Sequence, residues 1–150
     1  MFRLSRLSDY AIVLTSRIAR GNGLVVTARG LSSETDIPWP TVVKLLKMLM
    51  AGGVLRSIQG RKGGYALARP ASKISLIDII EMIEGPVALT ECNRETGNCG
   101  IQKSCQVHRH WLVINNAVRQ SLAAVTLADM NGSTRSVARM AQNRQPRELV

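Results

Sequence analysis

Residues 38–68 leave this chain the fewest ways to fold. Pro38-Trp39-Pro40 opens a run to Met50 in which Val42, Leu45, Leu46 and Leu49 recur at i, i+3, i+4 and i+7, the period of a helix with one buried stripe. Both prolines are compatible only with the first turn of that helix, whose N–H groups need no partner. Gly52-Gly53 stops the helix, and two alternating runs follow, Val54–Gln59 and Tyr65–Ala68, joined by Gly60-Arg61-Lys62-Gly63-Gly64. Such a segment is a glycine-turned hairpin.

Just upstream, Thr27 can cap a short helix running to about Glu34, with Ala28 and Leu31 inward, and Thr35-Asp36-Ile37 makes the turn into the Pro-Trp-Pro helix. Two short helices, a tight turn and a hairpin make a winged helix-turn-helix, in which the second helix enters the major groove and the hairpin is the wing. The buried stripe leaves Pro40, Thr41, Val43, Lys44 and Lys47 facing outward as candidate DNA contacts. Arg61 and Lys62 join them at the wing tip, where a cation can approach phosphates or a narrow minor groove. No phosphate-loop pattern is present, so the glycines do not signal a nucleotide site.

Charge agrees. Twenty Lys and Arg against ten Asp and Glu give a net charge of +10 and a pI near 10.6, which calls for a polyanionic partner. Double-stranded DNA is the first candidate. A membrane surface would need a long apolar run or a basic amphipathic helix with aromatic anchors, and neither is seen. Five aromatic residues are too few for the stacking platforms of single-strand binders.

The flanks complete the plan. An N-terminal helix capped by Ser8 or Asp9 carries Tyr10, Val13, Leu14 and Ile18 at helical spacing and ends at Gly21 and Gly23, with Arg3, Arg6, Arg17 and Arg20 off its apolar stripe. Ser75-Leu76-Ile77-Asp78 reads as a capping box opening a fourth helix, with Leu76, Ile79, Ile80 and Ile83 inward, closed by Gly85-Pro86. From Val107, apolar residues recur at Trp111, Ile114, Val118, Leu122 and Val125, one long stripe that suits a helix–helix dimer or packs on its own domain. Thr126-Leu127-Ala128-Asp129 is one more capped turn. The expected fold is therefore mainly α with a small β-hairpin wing: a winged helix-turn-helix over residues 1–85, a loop over 86–106, a dimerisation helix and capped turn over 107–130, and a polar, mobile tail over 131–150.

The loop holds every cysteine. Cys92, Cys99 and Cys105, followed by His108, form Cys-x6-Cys-x5-Cys-x2-His on a polar, glycine-containing segment. Three cysteines without a signal peptide argue against a disulfide framework and for a cytoplasmic chain. Gaps of six and five are wide for zinc knuckles, whereas iron–sulfur clusters tolerate wider loops. No nucleophile or second carboxylate stands beside the loop, so an enzyme is not expected.

The order LSRLSDYAIVL, KLLKMLMAGGVL, GRKGGYALA, three-cysteine loop, HWLVINNAV and VTLADM resembles the IscR-type winged-helix regulators of the Rrf-two family over roughly residues 1–130. Within that family NCGI, HW and VTLADM are most similar to regulators of SUF-type iron–sulfur assembly. The resemblance implies a homodimeric cytoplasmic transcription factor that carries an iron–sulfur cluster and regulates, by repression, cluster-assembly genes at a palindromic promoter site. It places thiolate ligands at Cys92, Cys99 and Cys105 and a fourth ligand at His108, as in the [2Fe–2S] branch. The nitric-oxide-sensing [4Fe–4S] branch instead uses a carboxylate at the start of the first helix, where Asp9 stands. The chain departs from both branches in having six residues, not five, between the first two cysteines. A redox-sensing, zinc-bound or metal-free winged-helix regulator remains the alternative.

Overall fold

The structure is a computed structural model and describes residues 3–132. Six helices and one hairpin follow in order: α1 (Arg6–Arg20), α2 (Ala28–Thr35), α3 (Trp39–Ala51), β1 (Leu55–Ile58), β2 (Gly64–Leu67), α4 (Leu76–Glu84), α5 (His108–Ala124) and α6 (Leu127–Asn131). Short 3-10 turns lie at Ala71–Lys73 and Glu91–Asn93. The polar tail expected over 131–150 lies outside the described residues from 133 on; Asn131 ends α6 and Gly132 caps it.

Local chemistry sets each boundary. Ser5 caps α1, its hydroxyl accepting the Ser8 N–H at 3.2 Å. The expected cap, Ser8, is instead buried, and its hydroxyl donates to Glu84. Asp9 lies in the first turn, where a carboxylate suits the helix dipole. Thr27 caps α2 through the Gly30 N–H at 3.0 Å, and Asp36 ends it in the left-handed region, producing the tight turn into α3. Pro38 precedes α3 and Pro40 sits in its first turn. Ser75 with Asp78, and Thr126 with Asp129, form complete capping boxes. Each satisfies two helix-end N–H groups.

The wing strands pair antiparallel, Leu55 opposite Leu67 and Ile58 opposite Gly64. A third strand position was not expected: Val26 exchanges hydrogen bonds with Tyr65 at 3.0 and 2.8 Å, fixing the base of the wing to the segment between α1 and α2.

Two apolar clusters hold the molecule together. The larger joins Ala11, Leu14 and Ile18 of α1 to Leu31 of α2, to Val42, Leu45, Leu46 and Leu49 of α3, and to Val54, Leu55, Ile74, Ile79 and Leu127. The α3 stripe is buried as its spacing predicts. On α1 the expectation holds less well: Ala11 and Thr15 are inside while Val13 is 40% exposed. The smaller cluster, Ile77, Ile80 and Val87, receives Val118 and Leu122 of α5, so the C-terminal half of α5 packs on its own domain. Ile114, expected in the same stripe, is exposed, and Asn115 occupies the buried place.

Candidate nucleic-acid interface and cysteine loop

Because α3 spends one stripe on the core, its opposite stripe must face water. Pro40, Lys44 and Lys47 are exposed, and Thr41 and Val43 are half-buried beside them. Arg61 and Lys62 are exposed at the hairpin tip. Among the described residues, no acidic side chain pairs with any of these four cations, whereas Arg17 pairs with Glu34 and Arg69 lies 3.8 Å from Asp78. Four unpaired cations on the helix face and wing tip form a surface able to take phosphates. Trp39, overlooked as a contact because both neighbours are proline, stands 50% exposed at the start of the same helix.

The cysteine loop leaves α4 and enters α5. Its first leg is tied down. Asn115, 6% exposed, accepts the Leu89 N–H at 2.9 Å and donates to the Val87 carbonyl at 3.1 Å. Glu81 of α4 accepts the Val87 N–H at 3.1 Å and pairs with Arg119 of α5. Cys92 follows in the 3-10 turn, its sulfur 3.1 Å from the Thr90 hydroxyl. Asn93 bonds the same hydroxyl at 2.9 Å and the Trp111 carbonyl at 3.3 Å. Gly97 folds the chain back so closely that a Cβ there would stand 1.7 Å from the Glu91 carbonyl oxygen.

The second leg has mainly local backbone bonds, Gln102 N–H to Cys99 at 3.1 Å and Cys105 N–H to Gln102 at 3.4 Å. Cys92, Cys99 and Cys105 are half-buried free thiols. His108 begins α5, and its Nδ1 is buried without a hydrogen-bond partner. Asp9 is exposed on α1, and His110 is exposed on α5. Among the described residues, no three His, Cys, Asp or Glu side chains are gathered to hold a metal. The donor chemistry nevertheless fits an iron–sulfur cluster, with three thiols and an imidazole nitrogen that lacks the partner a buried ring nitrogen needs.

Sequence reasoning missed Asn115, Glu81 and Arg119. The signal for Asn115 was its register: it lies four residues after Trp111 and three before Val118, inside the stripe, where a polar residue must find partners.

The family model described as "Rrf2: Iron-dependent Transcriptional regulator" matches residues 4–132. A Mycobacterium tuberculosis protein assigned as an HTH-type transcriptional regulator is 31% identical over 97% of this chain and 92% of its own. Among solved structures, the global cysteine regulator CymR of B. subtilis matches with a TM-score of 0.69 at 25% identity, covering 87% of this chain and 97% of CymR. T. potens IscR matches with a TM-score of 0.65 at 22% identity, covering 98% and 94%, a likeness of fold. In the described residues no helix is long and apolar enough to cross a membrane. The chain belongs to the Rrf2 family, and it is a DNA-binding transcriptional regulator with a winged helix-turn-helix fold rather than an enzyme.

Proposed function

We propose that this regulator is a cytoplasmic homodimer that senses iron–sulfur status and represses iron–sulfur assembly genes of the SUF type from a palindromic site. The observation that carries the sensing is the buried, unpartnered Nδ1 of His108 at the end of a three-cysteine loop. Cys92, Cys99 and Cys105 would hold the cluster through thiolates and His108 through its ring nitrogen, with a [2Fe–2S] centre favoured. Asp9, exposed in the first turn of α1, is the alternative ligand, supplied across a dimer to a [4Fe–4S] centre. A bound cluster supplies a site that iron shortage, oxidation or nitric oxide can remove or alter.

The residues of the chain then convert ligation into position. Asn115 and Glu81 hold the leg before Cys92 against α4 and α5. The leg carrying Cys99 and Cys105 is held mainly to itself, so ordering it onto Cys92 and His108 acts on the start of α5. Trp111 and Ile114, three residues apart on one face of α5, are both more than a third exposed there, with Leu112 and Val113 exposed around the same turn, an apolar surface suited to a second α5. A shift in this face changes the spacing of two recognition helices, and ligation alters DNA affinity only by its difference between the two arrangements.

Likeness to CymR favours a second reading, a metal-free regulator in which the thiols themselves respond. Protein purified without oxygen separates the two. Iron, acid-labile sulfide and visible absorption are expected, with loss or a spectral shift on substituting either His108 or Asp9, whichever is the ligand. Protein free of iron and sulfide that binds its promoter normally would end the cluster reading.

A further inference from the structure

We propose that this regulator reads its operator through thymine methyl groups, with Trp39 as the specificity-determining residue. The inference rests on DNA binding by α3 and the wing and is independent of what the cysteine loop senses.

A recognition helix meets base edges with its N-terminal residues. Direct readout there has a small chemical vocabulary: Arg or Lys on guanine, Asn or Gln on adenine, Glu or Asp on cytosine, Ser or Thr on more than one base, and apolar contact on the methyl of thymine. Residues 38–43 are Pro-Trp-Pro-Thr-Val-Val and hold none of the six charged or amide types that single out one base, only the half-buried and unselective Thr41. Their polar side-chain groups are the Thr41 hydroxyl and the Trp39 indole N–H. Lys44 and Lys47 come later on the exposed face, where they suit phosphates. An entrance this apolar can discriminate chiefly where a base edge is itself apolar, and among the four bases only thymine presents a methyl in the major groove.

Trp39 carries most of that surface. It is 50% exposed, whereas the α3 leucines Leu45, Leu46 and Leu49 are fully buried. Pro38 has φ −54°, and Pro40 lies in the first helical turn, so the backbone on both sides of the indole is fixed before binding. Covering apolar surface on a pre-set backbone adds affinity with little ordering cost. The unpaired Arg61 and Lys62 at the wing tip suit the narrow minor groove of A·T-rich sequence, so both reading elements point to the same base composition.

The test replaces thymidine by deoxyuridine, which removes the methyl and keeps every base-pair hydrogen bond. Duplexes are selected from a random library with the full chain, and the tightest is remade with deoxyuridine and titrated by fluorescence anisotropy at fixed salt. The wild type is expected to weaken about fourfold for each contacted methyl. Trp39→Ala should bind the thymidine duplex more weakly and distinguish the two duplexes by less than twofold; Trp39→Phe, which keeps a ring, should retain part of the discrimination. In Trp111→Phe protein Trp39 is the one indole of the chain, and its emission should change on adding the thymidine duplex. The proposal is overturned if full deoxyuridine replacement leaves wild-type affinity within twofold, if Trp39→Ala discriminates as well as wild type, or if Trp39 emission does not respond. Salt-dependent binding of an arbitrary duplex by all variants shows that DNA binding itself stands, so a failure of the methyl contact cannot be mistaken for a failure of that reading.

Discussion

Replacing Asn115 by Ala should be among the most damaging single changes outside the main core. Its amide accepts the Leu89 N–H at 2.9 Å and donates to the Val87 carbonyl at 3.1 Å, from a side chain only 6% exposed. Truncation leaves two backbone groups without a partner, and an unmade buried hydrogen bond costs about 1–3 kcal/mol. Val87 is buried and Leu89 half-buried, so the Leu89 N–H regains water more readily than the Val87 carbonyl. The expected loss is about 2–4 kcal/mol, a large share of the roughly 5–15 kcal/mol that stabilises an ordinary domain. Urea unfolding of the reduced chain, compared at constant m-value, measures it. Asn115→Asp gives the sharper check. At neutral pH its carboxylate keeps the Leu89 bond but faces the Val87 carbonyl with no proton to donate. As pH falls the carboxyl gains one, so its deficit relative to wild type should shrink. A loss under about 0.5 kcal/mol for Asn115→Ala, or a deficit for Asn115→Asp that does not narrow in acid, would refute the reasoning.

Gly52→Ala should cost less than about 1 kcal/mol, because the atoms its Cβ would meet, the Met82 methyl at 1.9 Å and its sulfur at 2.3 Å, end a flexible side chain that can turn aside. Met82→Ala in the same chain should recover much of that loss in thermal melts. Burial works to raise the Glu84 pKa, but the Ser8 hydroxyl and the Ser5 N–H outweigh it and hold the carboxyl below its ordinary value. The stability this bond network adds is therefore complete above the ordinary carboxylate range and is lost as pH falls through the lowered folded value; Glu84→Gln should flatten the acid limb of a stability–pH curve. Lys47→Ala, removing an unpaired exposed cation, should lower affinity similarly for all duplexes and reduce the slope of log K against log salt by about 1.

Much of this architecture is legible in the sequence where one period decides the matter. Val42, Leu45, Leu46 and Leu49 declare their burial by spacing, and the Ser75 box by its Ser-x-x-Asp pattern. The cap of α1 was missed because Ser5 and Ser8 stand one turn apart with equal cap propensity, and only the distant Glu84 draws Ser8 inward. The same limit hid the partners of the cysteine loop. Asn115 reaches Val87, and Arg119 reaches Glu81, across elements far apart in the chain, contacts that no local pattern encodes. The loop's chemistry was legible in Cys92, Cys99, Cys105 and His108, whereas its contrast between a pinned first leg and a self-contained second leg was not.

The two capping boxes face each other. Ser75 bridges Thr126, the Leu76 N–H reaches the Val125 carbonyl at 2.9 Å, the Leu127 N–H reaches the Ile74 carbonyl at 2.9 Å, and Leu127 is fully buried in the larger core beside α1. This arrangement sets an order of maturation during synthesis. A nascent chain ending between residues 68 and 126 has made both helices of the helix-turn-helix and the wing but lacks the side chain that closes the core beneath them. When residue 127 is added the cysteine loop and α5 have already been made, so no DNA-reading body with its core closed precedes the segment proposed to control it.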